Sequence, residues 1–112
     1  MRVEVVHESQ QRRNDAWIGE REQALFEAFT YINNVDEARD FLIDLFTVGE
    51  LQKAAKRWCV VGHLFEGKKQ REASQLCGND KNTATRVNTS ILKLGTGMSR
   101  IIYDRMNHPV NE

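Results

Sequence analysis

The chain has 112 residues, of which 40% are hydrophobic and 29% charged, a composition that fits one globular domain and excludes a disordered chain. No run of about 18 apolar residues occurs, which argues against a membrane-spanning helix, and the opening MRVEVVHESQQRRND has neither the apolar core nor the small-residue cleavage site of a secretory signal. The net charge is zero but segregated: residues 1–50 carry 5 basic and 11 acidic side chains (−6), and residues 51–112 carry 11 and 5 (+6).

In chain order, residues 1–14 are polar and aperiodic and read as a flexible arm. A first helix is expected over about 16–32, capped by Asp15, with Leu25, Phe26, Phe29 and Ile32 as its apolar stripe and Asn33 and Asn34 ending it. Asp36 caps a second, shorter helix with Phe41, Leu42, Leu45 and Phe46 on one face. Thr47-Val48-Gly49-Glu50 spells a capping box, in which hydroxyl and carboxylate each accept from the other residue's amide. It opens a third helix, the strongest periodic signal, with Val48, Leu51, Ala55, Trp58, Val61 (or Gly62) and Phe65 sharing a face and Gly67 as the stop. Trp58 belongs to its inner, core-facing side.

A fourth helix is expected from about Lys69 to Cys77, stopped by Gly78. Asp80 caps a fifth over about 81–94, closed by Gly95-Thr96-Gly97. A sixth runs from about Met98 to Asn107, before Pro109, and residues 108–112 are a tail. The expected fold is all-α: six helices in one domain over 15–107.

The two cysteines, Cys59 and Cys77, have no CxxC partner and sit among apolar residues at helical spacing. They read as reduced, buried small hydrophobes of a cytoplasmic protein. His7, His63 and His108 are far apart and lack ligand spacing, so no metal site is expected. No nucleophile, base and acid stand together, so an enzyme is not expected either.

The fourth and fifth helices are joined by about three residues, which suits two helices crossing steeply. Around Gly78, Ala73, Cys77, Ala84 and Val87 are apolar, Ser74 is small, and Gly78 itself tolerates the positive φ of a tight turn. This is the helix-turn-helix spacing, at about 69–94, that places a second helix in the DNA major groove. With Ala84, Val87, Ile91 and Leu94 inward, Lys81, Asn82, Thr85 and Arg86 face outward. Asn reads adenine, Arg reads guanine or phosphate, and Thr offers a hydroxyl or a methyl. Lys68, Lys69 and Arg71 are placed to clamp the backbone. The alternative from the same residues is an all-helical protein–protein adaptor whose basic face meets an acidic partner.

The run from Phe41 to Arg105 resembles the Trp repressor superfamily in FLIDLFTVGELQKAAKRW, LFEGKKQREASQLCG, TATRV and YDRM, in matching order and spacing. The resemblance implies an intertwined homodimer, with Trp17 as an interface anchor and two recognition helices entering major grooves about 34 Å apart. It places Arg71, Ser74, Asp80, Lys81, Asn82, Thr83 and Thr85 at DNA-contacting positions, Ser74 and Asp80 departing in residue type. Phe46, Thr47, Arg57, Arg86 and Ser90 fall on the corepressor pocket, where the arginines would hold a carboxylate or else bridge to Asp44 or Glu50. Val87 stands where the family has glycine, and its side chain is expected to intrude on an indole. The expected function is therefore a cytoplasmic, homodimeric, DNA-binding transcriptional regulator that does not respond to tryptophan, with any corepressor unidentified.

Overall fold

Local side-chain chemistry sets where the first three helices begin. The computed structural model describes residues 15–78 and 85–108, and among these it contains five α-helices, one π-helical segment and no strand. The N-terminal arm, residues 79–84 and the segment after His108 lie outside the described residues.

Helix α1 is Glu20–Phe29, shorter than the expected 16–32 at both ends. Asp15 does not cap it. Its carbonyl accepts from the Ile18 amide at 3.0 Å, closing a turn, and the helix starts after Gly19, whose amide donates to Glu22 Oε1 at 2.9 Å. Thr30 ends it, its hydroxyl donating to the Glu27 carbonyl at 2.7 Å. Helix α2 is Val35–Leu45 and is capped by Asn34, not Asp36: the Glu37 amide donates to Asn34 Oδ1 at 2.9 Å. The Glu37 carboxylate returns the favour to the Asn33 amide, also at 2.9 Å. Two asparagines expected to end one helix instead start the next.

Helix α3 is Val48–Phe65. Its capping box forms as expected, with the Thr47 amide on Glu50 Oε1 at 2.8 Å and the Glu50 amide on Thr47 Oγ1 at 3.1 Å. Gly67 then turns the chain at φ +94°. Helix α4 is Gln70–Leu76, followed by Gly78 at φ +75°. Residues 85–87 are α-helical, and Asn88–Lys93 continues as a π-helix, its last bond running from the Leu94 amide to the Thr89 carbonyl at 3.1 Å. Helix α5 is Met98–Asn107.

The chain divides into two compact units between Lys53 and Ala54, within α3. In the first, Phe29 and Phe41 meet edge to face at 5.4 Å and Trp17 and Phe26 at 6.5 Å, yet α1 and α2 contain no buried residue. The second holds the core of Val60, Val61, Ala73 and Val87, ringed by half-buried Trp58, Leu64, Phe65, Cys77 and Ile91. Tyr103 of α5 packs edge-on to Phe65 at 5.3 Å. Its ring closes on Gly62, where an added Cβ would stand 3.3 Å from Tyr103 Cε1.

Candidate nucleic-acid interface and adjoining sites

The segments expected to form the helix-turn-helix pack from the core outward. Ala73 of α4 and Val87 beyond the turn are 0% and 1% exposed and belong to one apolar cluster with Val60 and Val61 of α3. The bend between them uses the left-handed φ of Gly78, which costs glycine little and strains any other residue. The Thr85 hydroxyl donates to Gln70 Oε1 at 3.2 Å, a polar tie between α4 and the segment that begins at Thr85.

Lys69, at the N-cap of α4, is exposed, as are Arg71, Thr85 and Arg86. Lys81, Asn82, Thr83 and Asp80 lie outside the described residues. Lys68 is held differently: its ammonium donates to Glu66 Oε1 at 2.9 Å, while the Tyr103 hydroxyl donates to Glu66 Oε2 at 2.8 Å. These two bonds, the Lys68 one foremost, hold the Glu66 carboxyl below its ordinary range, and they raise Lys68 and Tyr103. Ser74 is 1% exposed, in keeping with its reading as a small residue where helices approach closely and not with the DNA-contacting position that the resemblance implies.

A cavity of about 140 Å³ is lined by Arg57, Arg86, Val87, Ser90 and Ile91. Its lining comes wholly from residues beyond Lys53. Phe46 and Thr47 belong to the other unit, where the Thr47 hydroxyl and the Glu50 carboxylate serve the capping box. Val87, a member of the buried core, forms one wall of the cavity. At about 140 Å³ the space falls below the roughly 300–1,000 Å³ of ordinary small-molecule pockets.

The cysteines overturn an expectation. Cys59 of α3 and Cys77 at the end of α4 are not free thiols but a disulfide, with Cα atoms 5.9 Å apart. The turn at Gly67 brings α4 back to α3, so that Cys77 meets Cys59. A pairing across 18 residues has no local sequence signal. An imidazole nitrogen of His63 joins the two sulfurs, all three within 4.8 Å of one another. His63 Nδ1 is buried and neither accepts nor donates a hydrogen bond, and Glu66 Oε1 stands 3.5 Å from it, longer than an ordinary hydrogen bond. Sequence reasoning also missed Gln70, Glu66 and Tyr103, whose partners are 15 and 37 positions distant.

Residues 20–107 match the protein family described as Trp repressor protein. The fold is similar to a crystal structure of a TrpR-like protein from Eubacterium eligens, with 26% identity and a TM-score of 0.76, over 88% of this chain and all of that one. No curated protein matches the chain. Among the described residues no helix is long and apolar enough to cross a membrane.

Proposed function

The chain belongs to the Trp repressor family, and from that premise we propose that it is a cytoplasmic, homodimeric transcriptional repressor that reads double-stranded DNA through its helix-turn-helix. The observation that carries this reading is the shared burial of Ala73 and Val87 around the Gly78 turn, which leaves Thr85 and Arg86 on the outer side. Thr85 and Arg86, with Lys81, Asn82 and Thr83, are the base-reading set. Lys69 and Arg71 hold phosphates, and Lys68 contributes less because Glu66 already neutralises it.

The homodimer rests on the first unit. Trp17, Phe26, Phe29, Tyr31, Val35, Ile43, Leu45 and Val48 are 42–81% exposed, and α1 and α2 bury no side chain, which a second copy would remedy. Sedimentation or light scattering checks it, and a monomer at micromolar concentration would refute it.

The DNA reading is tested by selecting operator sequences from a random pool and measuring salt-dependent mobility shifts. Arg71→Ala should weaken binding across all sequences and lower the salt slope by about 1, and Arg86→Ala should cost about 1–3 kcal/mol with relaxed specificity. Indifference of binding to Lys81→Ala, Thr85→Ala and Arg86→Ala sinks the proposal. Retention by protein partners after nuclease treatment would then favour an adaptor.

Val87 lines the cavity beside Arg57 and Arg86, and its side chain is expected to crowd an indole there. Tryptophan at millimolar concentration should therefore leave the melting temperature unchanged, whereas a bound ligand at 100 times its Kd would add about 2.7 kcal/mol.

A further inference from the structure

We propose that Cys59, His63 and Cys77 form a redox-gated zinc site: a disulfide when oxidised and a Cys2His site for Zn2+ when reduced. Three observations carry it. Cys59 and His63 are four residues apart on α3, so they stand on one face of one helix, and the end of α4 supplies Cys77 to the same spot. All three are half-buried, and their ligand atoms lie within 4.8 Å of one another. His63 Nδ1 is buried without a hydrogen bond, an arrangement that costs free energy unless the ring gains a partner.

The chemistry suits zinc. Two thiolates and an imidazole are its preferred donors, with Zn–S near 2.3 Å and Zn–N near 2.0–2.1 Å, and two thiolates exactly balance the charge of Zn2+. A tetrahedral ion needs its sulfurs about 3.8 Å apart, so the bonded pair must separate by rotation of the two side chains, while the Cα spacing of 5.9 Å stays as it is. Three protein ligands leave the fourth position to water.

The steps balance with a dithiol as reductant. Exchange breaks the Sγ–Sγ bond, the dithiol gives up two electrons and two protons and becomes a disulfide, and Cys59 and Cys77 become thiols. Zn2+ then displaces both thiol protons to solvent and forms two Zn–S bonds and one Zn–N bond. In either state α3 stays tethered one residue before Gly78. Only the reduced, metal-free protein loses the tether.

Co2+ is the probe, added to the full chain after reduction by a dithiol and removal of the reductant without oxygen. The reduced protein should bind one Co2+ per chain with an intense thiolate-to-cobalt charge-transfer band, which excess Zn2+ abolishes. The oxidised protein should show no band. His63→Gln, at a residue outside the apolar core, should keep its helical circular dichroism and weaken Co2+ by roughly tenfold or more. Absence of the band in the reduced protein overturns the proposal, as does an unchanged affinity in the folded His63→Gln variant. A band in the oxidised protein overturns the gating.

Discussion

Ser74 carries a hydroxyl that is 1% exposed and makes no hydrogen bond. A buried, unsatisfied polar group costs about 1–3 kcal/mol, and removing it without leaving a large cavity recovers part of that. Ser74→Ala should therefore raise stability by up to about 1 kcal/mol, read as a higher urea midpoint with an unchanged slope. A loss of stability would mean that the hydroxyl has a partner after all. Glu66 is the opposite case, an exposed carboxylate that accepts from both Lys68 and Tyr103. Its folded pKa is lowered, so its contribution is complete above the ordinary carboxylate range and is lost as pH falls through the lowered value. The melting temperatures of the wild type and Glu66→Gln should differ slightly at neutral pH and converge in acid. Solvent screening keeps the difference small.

At the scale of elements, the π-helical segment Asn88–Lys93 coincides with Asn88, Thr89 and Ser90, whose side chains compete for backbone hydrogen bonds and form α-helix poorly. The widened turn ends at Gly95, where an added Cβ would stand 2.5 Å from the Ile91 carbonyl oxygen. Gly95→Ala should cost about 1–3 kcal/mol, the range for overpacking, and an unchanged denaturation midpoint would show that the turn relaxes freely. The contrast between α3 and its neighbours explains what was legible in the sequence. The Thr47–Glu50 box and the Gly67 and Gly78 stops are chemistry between residues close in the chain, and their positions follow from the residue types alone. Asn34 and Asp36 are both good caps two positions apart, and the Glu37 bond to the Asn33 amide decides between them, which no propensity encodes. The Ala73–Val87 spacing made the shared burial of these two residues readable. The widening of its second arm into a π-helix, the Cys59–Cys77 bond and the Glu66–Tyr103 bond were not, because each depends on how turns bring distant segments together.

For the molecule as a whole, stability must come from few sources. Among the described residues the buried apolar core is Val60, Val61, Ala73 and Val87, and it lies entirely beyond Lys53. Small cores of this kind usually need a staple or a partner subunit. The disulfide is a staple that joins α3 to α4 across 18 residues and, in the chain-entropy account, destabilises the unfolded chain by roughly 3 kcal/mol. Reduction by a dithiol should lower the melting temperature by on the order of ten degrees or more for a domain of this size. An interface of the proposed homodimer responds differently: its contribution grows with protein concentration, whereas that of an intrachain bond does not. Melting at several concentrations in both redox states separates the two. A reduction-induced shift of constant size at every concentration assigns it to the Cys59–Cys77 tether. A shift that vanishes at high concentration would mean that subunit association, and not the disulfide, holds the second unit together.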